Sequence, residues 1–357
     1  MNMKGLKSII FAAAALVALP MAVTSCSDWT EVEADDFYQD NGEAYYANLK
    51  DYFASPHKVT FGWFGSWSCG TKANQLVGLP DSVDFVSLWL CWGPLTPAQQ
   101  ADLKAFQARG SKAVLCWRPG NIGANITPGY ESNPNPPLSA AKEYWGFVQT
   151  SDINPETGDN YTKEEAIASQ ISAARKYADA IADTCEKYNV DGFDFDIEDD
   201  GTLINSGDYA VVQNEFLRRL YERFEPAGRM LVIDIPGGGV WLRFYDQLED
   251  EVVDKMVKYI CWQTYELNHA GLDSFFDGVK SYKPDIFPQV LAKSIVTATF
   301  ERAADKYLYP IQSTWQYYKG LPHAGQGAYH IEYDYPGNPD YPTVRKGIAT
   351  QNPPVNQ

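Results

Sequence analysis

Basic residues are scarce in this chain of 357 residues. Lys and Arg together number 29 against 46 Asp and Glu, so the formal net charge is −17 at pH 7. A surface this acidic repels the phosphate backbone of nucleic acids, and we expect no nucleic-acid partner. A neutral or weakly charged ligand suits the chain better.

Histidine and cysteine are also few, and they lack the spacing that metal ligands show. The chain has four His and six Cys, and no two Cys form a Cys-x-x-Cys pair. We therefore expect no metal ion and no other cofactor. Cys91, Cys116 and Cys261 lie in apolar runs and are expected to be small core residues. A disulfide that involves Cys69 stays open.

Long apolar runs are absent except at the amino terminus. There, a run from Ile9 to Val23 follows two lysines, a pattern typical of a signal peptide and too short for a membrane span. Because Cys26 follows the run closely, we predict a lipoprotein signal peptide over residues 1–25 with lipidation of Cys26. The alternative is an ordinary secretory signal cut near this point.

The residues after Cys26 favour a surface location. Asp28, Glu31, Glu33 and their acidic neighbours resemble the export signal of Bacteroidetes surface lipoproteins. We therefore expect a monomer that a lipid at Cys26 anchors to the outer membrane, exposed at the cell surface.

From residue 57 onward, strand-like and helix-like segments alternate. This alternation indicates βαβ units and a parallel sheet. Strands are predicted at 57–67, 82–92, 112–118, 191–198, 229–236, 258–266, 286–295 and 327–333. Eight such units predict one (β/α)₈ TIM barrel over residues 57–351, preceded by a tether and lead-in segment over residues 26–56.

Helix starts are marked most clearly by two capping boxes. Thr96 with Gln99, and Thr162 with Glu165, have the Thr-x-x-Gln/Glu spacing of this motif. Further helices are predicted at 40–54, 209–224, 246–256, 303–318 and 343–350. The long connection over residues 119–161 is expected to line a substrate cleft. Its aromatic side chains include Tyr130, Tyr144, Trp145 and Phe147.

Residues 191–198 are the most informative segment, with the sequence Asp-Gly-Phe-Asp-Phe-Asp-Ile-Glu. Side chains alternate along a strand, so Asp194, Asp196 and Glu198 share one side. Three carboxylates on one side repel each other unless they line a polar cavity where pKa values move. The alternatives are a solvated edge strand and a calcium loop.

Two other strand ends carry polar side chains that could join these carboxylates. Asp234 ends the fifth strand, and Gln263 and Tyr265 end the sixth with the same parity. Active sites of (β/α)₈ barrels lie at the carboxyl ends of the strands. Cleavage of a glycosidic bond needs an acid for the leaving oxygen and a group that stabilises the oxocarbenium-like transition state.

The acidic segment resembles the D-G-x-D-x-D-x-E signature of glycoside hydrolase family 18. That resemblance implies substrate-assisted, retaining hydrolysis, in which the 2-acetamido oxygen of the sugar attacks the anomeric carbon and forms an oxazolinium intermediate. Glu198 would be the general acid and then the base. Asp196 would orient and polarise the acetamido group, and Asp194 would tune Asp196.

Two motifs of this chain differ from those of the family's chitinases, and the differences indicate another branch of the family. Chitinases usually carry Ser-x-Gly-Gly at strand three and Met-x-Tyr-Asp at strand six. Here residues 116–120 are Cys-Trp-Arg-Pro-Gly, and residues 263–266 are Gln-Thr-Tyr-Glu. The Gln-x-Tyr resembles endo-β-N-acetylglucosaminidases that cut N-glycans within the chitobiose core. By that resemblance, Gln263 and Tyr265 would contact the acetamido group and the oxazolinium-like transition state.

The predicted substrate is accordingly an N-glycan or a glycoprotein. A non-catalytic glycan-binding protein on the same barrel and a chitinase-like hydrolase are the alternatives, and Gln263 and Tyr265 could also be core residues of the barrel. Further candidates for substrate contact are Asp191, Asp234, Trp63, Trp117, Trp262 and Glu266.

Overall fold

The computed structural model describes residues 41–302 and 305–353. The signal peptide over residues 1–25, the lipidation of Cys26 and the tether as far as residue 40 lie outside the described residues and stay predictions. Among the described helices, none combines the length and the apolar character that a membrane span requires.

Eight parallel strands close into one barrel in the order in which they follow along the chain. They are β1 (Val59–Phe64), β2 (Phe85–Trp89), β3 (Lys112–Trp117), β4 (Gly192–Asp196), β5 (Met230–Pro236), β6 (Tyr259–Gln263), β7 (Ser294–Thr299) and β8 (Gly325–Tyr329). Because β8 pairs with β1, the sheet is closed. The predicted (β/α)₈ barrel is confirmed.

The α-helices lie before β1, in the connections from β2 onward and after β8. They are α1 (Glu43–Ala54), α2 (Pro97–Ala108), α3 (Leu138–Trp145), α4 (Lys163–Lys187), α5 (Ala210–Phe224), α6 (Gly239–Asp246), α7 (His269–Tyr282), α8 (Phe287–Lys293), α9 (Leu308–Gln312) and α10 (Pro342–Gln351). Both predicted capping boxes are present. In the first, Thr96 Oγ1 accepts from Gln99 N at 3.2 Å, and Gln99 Oε1 accepts from Thr96 N at 2.9 Å.

Alternation along the strands gives the barrel an outer and an inner core. Phe193 and Phe195 of β4 face outward and pack in the layer beneath the helices. The lower, amino-terminal half of the interior is filled by rings, with Phe85 4.7 Å from Phe61 and 5.2 Å from Tyr259 between centroids. This apolar filling excludes water from below the polar side chains of the upper half.

The seventh strand begins later than predicted. Most of the apolar run over residues 286–295 forms helix α8, and β7 follows at Ser294. A short apolar run fits a buried helix or a strand equally well, and Pro288 is tolerated in the first helical turn. The helix predicted over residues 303–318 is also wrong in extent, since only α9 forms there in the described residues.

The connection over residues 119–161 is better packed than predicted. Trp145 and Phe147 are buried, and the indole N–H of Trp145 donates to Thr127 Oγ1 at 2.9 Å. These two side chains therefore support the connection from inside, and the prediction that they line a cleft was wrong. The exposed aromatic side chains here are Tyr130 and Tyr144.

Candidate active site

Strand β4 carries its carboxylates into the interior of the barrel. Asp194 and Asp196 are completely buried, and Glu198 follows two residues after the strand with 25% of its side chain exposed. Ile197 N donates to Asp234 O at 2.8 Å, so hydrogen bonding to β5 continues as far as Ile197, the residue before Glu198. The three side chains thus rise from the interior to the open carboxyl-terminal mouth.

Asp194 is held at the base of this row by β2. Ser87 Oγ donates to Asp194 Oδ2 at 2.6 Å. Burial raises the pKa of Asp194 to about 6, and the hydrogen bond from Ser87 opposes that rise. The indole N–H of Trp63 also lowers this pKa, although it does not reach full hydrogen-bond geometry.

Asp196 lies beside Asp234 in the register of β4 and β5. Both carboxylate oxygens of Asp196 are buried without a hydrogen-bond partner among the described residues. Burial, followed by repulsion from Asp234 and Glu198, raises the pKa of Asp196 well above its ordinary value. Burial and the charges of Asp194 and Glu198 do the same to the pKa of Asp234. Adjacent buried carboxylates do not all ionise together, so this group retains protons at neutral pH.

Gln263 connects two of the carboxylates across the mouth. Its Nε2 donates to Glu198 Oε1 at 2.6 Å and to Asp234 Oδ1 at 3.0 Å. A side-chain amide has two N–H donors, so both bonds form at once. The structure thus places Gln263 directly beside the predicted acid.

Aromatic rings form one wall of the mouth. Tyr265 stacks on Tyr329 of β8 with 6.0 Å between the ring centroids. Trp63 meets both rings edge-on, and Trp89 meets Tyr329 edge-on at 5.9 Å. Burial raises the pKa of Tyr329 to about 12 and raises the pKa of Tyr265 well above its ordinary value, so both phenols keep their protons and can donate hydrogen bonds.

Two predicted substrate contacts point away from the mouth. Trp117 and Trp262 are fully buried on the outer face of the barrel. The indole N–H of Trp117 donates to Tyr177 on α4 at 3.0 Å, and that of Trp262 donates to Ser294 at 2.8 Å. Both predictions were wrong, because each residue is one position away from an inward-facing side chain and strand neighbours face opposite ways.

Asp191 lies at the opposite, amino-terminal end of β4, and its prediction as a substrate contact was also wrong. Its Oδ2 accepts from Gln107 Nε2 at 2.8 Å and from Ala113 N at 2.9 Å. The next residue, Gly192, has φ +150°, and an added Cβ would lie 1.9 Å from Met230 O. The Asp-Gly part of the signature therefore builds the start of the strand.

The other predicted contacts lie at different depths. Trp63 is 1% exposed and Asp234 is also buried, so both support the carboxylates from within the barrel. Glu266 is exposed on the rim and forms an ion pair with Arg302. A role in substrate contact stays a prediction for all three predicted residues.

Four residues of the site were missed by the sequence analysis, namely Ser87, Trp89, Arg118 and Tyr329. Arg118 Nη1 lies 3.3 Å from Glu198 Oε2. Each of the four occupies an inward position in a strand or directly after it. Parity with a neighbouring inward residue is the signal that would have found them.

One group of potential metal ligands lies inside the described barrel. Ligand atoms of Cys116, Asp194 and Asp234 are within 4.8 Å of one another. However, burial and then the neighbouring carboxylates raise the pKa of the Cys116 thiol well above its usual range, and the thiolate is the form that binds metals. We assign no metal to this group. The described cysteines are all free, including Cys69.

Comparisons with known proteins agree with this geometry. Residues 26–267 match the model of glycoside hydrolase family 18, BT1044-like. The solved structure of BT1044, in selenomethionine form with one Glu-to-Gln substitution, is 32% identical, with 87% of this chain and 92% of that chain covered and a TM-score of 0.68. No match was found among curated proteins.

More distant structures share the barrel. An endo-β-N-acetylglucosaminidase from Cordyceps militaris is 18% identical, with 90% and 99% of the two chains covered and a TM-score of 0.58. A family 18 chitinase from Pseudoalteromonas aurantia is 14% identical, with 82% and 99% covered and a TM-score of 0.52. These two show the fold alone, whereas the family match spans the acidic strand and Gln263. The chain is therefore a member of glycoside hydrolase family 18, of the BT1044-like type.

Proposed function

We propose that this glycoside hydrolase is an endo-β-N-acetylglucosaminidase that cuts the N,N′-diacetylchitobiose core of N-glycans with retention of configuration. The arrangement of Gln263 carries the proposal. Its amide reaches Glu198 and Asp234, while Asp196 beside them has two buried oxygens without a protein partner. Amide and carboxyl groups match both the N–H and the C=O of an acetamido group. A sugar without that group leaves buried polar atoms unpaired, at about 1–3 kcal/mol each.

In the first half of the reaction, Glu198 gives its proton to the glycosidic oxygen as the bond from that oxygen to the anomeric carbon breaks. The acetamido oxygen of the same sugar forms the new bond to this carbon, which gives an oxazolinium ion. Asp196 accepts the acetamido N–H. Displacement of a proton from Asp196 towards Asp194 or Asp234 leaves Asp196 as the carboxylate that balances the positive charge.

In the second half, a water molecule attacks the anomeric carbon from the side of the departed oxygen. The bond to the acetamido oxygen breaks, and Glu198 takes the proton of the water. Two displacements at one carbon retain its configuration. The phenols of Tyr265 and Tyr329 lie beside the position of this sugar as neutral donors.

The test is mass spectrometry of a glycoprotein after incubation with the protein lacking residues 1–25. A single GlcNAc left on asparagine is the expected product. Glu198→Gln is expected to abolish release and to keep glycan binding, because the amide is close in shape but has no acidic proton. Glu215→Gln is the matched control, since Glu215 pairs with Arg175 at the outer surface of α4 and α5.

Two other outcomes would replace the proposal. Cleavage of GlcNAc oligomers with no release from glycoproteins would make the protein a chitinase-like hydrolase. Binding of glycans with unchanged mass for high-mannose, hybrid and complex glycoproteins would make it a glycan-binding protein. The same set of glycoproteins would identify the class of N-glycan that it accepts.

Anchoring at the cell surface is part of the proposal and rests on the sequence before residue 40. Cys26 follows the apolar run, and acidic residues follow Cys26. Growth with a labelled fatty acid is expected to label the wild type and not Cys26→Ser. Protease added to intact cells is then expected to digest the wild-type protein.

A further inference from the structure

Arg118 lies at the mouth of the barrel, beside the acid of the proposed reaction. It follows β3 directly, where the chitinase pattern Ser-x-Gly-Gly has no side chain. Its Nη1 lies 3.3 Å from Glu198 Oε2, and its Nε lies 3.5 Å from Asp199 Oδ2. The guanidinium is therefore shared between the predicted acid and the next residue along the chain.

The residues after Arg118 fix this arrangement. Pro119 restricts the backbone of the preceding residue to extended conformations, which keeps Arg118 in line with the strand and directed into the mouth. Gly120 then lies against Asp199, and an added Cβ would be 2.7 Å from Asp199 Cβ. Leu203 N also donates to Gly120 O at 3.0 Å. The Arg-Pro-Gly sequence thus fixes the position of Arg118 and allows the loop after β4 to pack against it.

Glu198 consequently has a donor on each carboxylate oxygen. Gln263 Nε2 donates to Oε1 at 2.6 Å, and Arg118 donates to Oε2. A guanidinium offers only donors, so this geometry suits the ionised carboxylate. That is the form which takes the proton of water in the second half of the reaction. In the first half the proton must lie on Glu198, and Asp199 is the second partner that Arg118 then retains.

We propose that Arg118 is a positioning residue that holds the Glu198 carboxylate for the hydrolytic half of the reaction, and that Asp199 takes the guanidinium when Glu198 is protonated. The proposal rests on the proposed role of Glu198. The first half releases the proton from Oε2 to the leaving oxygen, and the second returns a proton to Oε2 from the attacking water, so each cycle restores the starting state.

Arg118 supplies the positive charge beside Glu198, whereas the other groups that face this carboxylate are acidic or neutral. The charges of Asp196 on β4 and Asp234 on β5 interact repulsively with that of Glu198, and the phenols on the side of β6 and β8 are neutral. In the described part of the chain, Arg118 is the cation that forms an ion pair with Glu198. Its removal should therefore make Glu198 hold its proton to higher pH.

The primary experiment is a carboxyl ¹³C NMR titration of protein labelled at glutamate, with the Glu198 signal identified by its loss in Glu198→Gln. In Arg118→Gln, we expect Glu198 to titrate about 0.5–1 pH unit higher, a modest shift because both side chains are partly exposed. The alkaline limb of the pH profile of kcat/KM should move in the same direction. An unchanged titration in the folded variant would overturn the proposal.

Asp199→Asn is the second variant, and the opposite sign is expected. Without Asp199, the guanidinium has Glu198 as its remaining partner and one repelling charge is gone, so Glu198 should titrate lower. The double variant separates the two causes: the effect of Asp199→Asn should shrink in the Arg118→Gln background. Equal effects in both backgrounds would contradict sharing of the guanidinium. Arg175→Gln, which breaks outer-surface pairs, is the control and should leave the titration unchanged.

Failure of this inference is distinguishable from failure of the proposed function. The titration needs no substrate, so its result stands whichever sugar the protein cleaves. If wild type releases N-glycans and Arg118→Gln titrates like wild type, the inference alone is wrong. If the titration shifts as expected and wild type cleaves GlcNAc oligomers but leaves glycoproteins unchanged, the proposed function alone is wrong.

Discussion

The carboxylates at the two ends of the barrel have opposite hydrogen-bonding surroundings. At the amino-terminal end, Asp84 accepts from Thr60 N at 2.8 Å and from His57 Nε2 at 2.7 Å, and Asp191 accepts a backbone and a side-chain N–H. At the carboxyl-terminal end, Asp196 is completely buried, whereas Asp84 and Asp191 are only half-buried, and Asp196 has no hydrogen-bond partner among the described residues.

This difference indicates that the carboxylates at the amino-terminal end stabilise the fold, whereas Asp196 at the carboxyl-terminal end serves the proposed reaction. Burial raises the pKa of every one of these carboxyl groups, but hydrogen bonds oppose the rise at Asp84 and Asp191. At Asp196 the neighbouring charges increase it instead. A group left in that state costs stability, and proteins keep such groups where a reaction needs them.

The largest expected difference between the two ends is in activity. Asp196→Asn should lower kcat about 10²–10³-fold, because the group that balances the oxazolinium charge loses its own charge. The melting temperature should stay the same or rise, since a buried ionisable group is removed. Hydrolysis of a glycoprotein and thermal unfolding measure the two effects. A drop in both would place Asp196 with the structural carboxylates.

Asp191→Ala should show the reverse. It leaves the N–H of Ala113 without its acceptor, so the free energy of unfolding should fall by about 1–3 kcal/mol. Activity well below the melting temperature should match wild type, because the site lies at the other end of β4. Urea unfolding together with kcat and KM measures this. A raised KM with unchanged stability would restore Asp191 as a substrate contact.

The smallest expected effect is a gain in stability with Asp234→Asn. The pKa of Asp234 is raised above its ordinary 3.8, so the folded protein holds a proton that the unfolded chain releases. The stabilisation from this group is fully present below pH 3.8 and is lost as pH rises towards the folded pKa. The variant should therefore be more stable than wild type at pH 8 by about 1 kcal/mol, and the gain should be smaller at pH 5.

Comparison of urea midpoints at the two pH values checks this. The asparagine keeps an acceptor for Gln263, so the loss of a hydrogen bond does not obscure the result. Equal gains at both pH values would mean that Asp234 holds no proton in the folded protein.

The sequence was sufficient for the parts that depend on local pattern. The alternation of segments predicted the barrel, and the capping boxes predicted where α2 and α4 begin. The parity of β4 predicted which carboxylates face together. Prediction from the sequence failed where one pattern fits two structures, as in residues 286–295. It also failed at Trp117 and Trp262, where the residue type was given more weight than the parity of the position in the strand.

By itself, the sequence determined the fold and the carboxylate row, because alternation along a strand is a property of a few consecutive residues. Tertiary structure alone decided which side chains from other strands meet that row. Gln263, Ser87 and Arg118 reach it from β6, β2 and the end of β3, and only closure of the barrel brings these strand ends together. It also decided that Asp191 and Asp196, five residues apart on one strand, have different surroundings, since one end of the barrel is tied by hydrogen bonds and the other opens to the mouth.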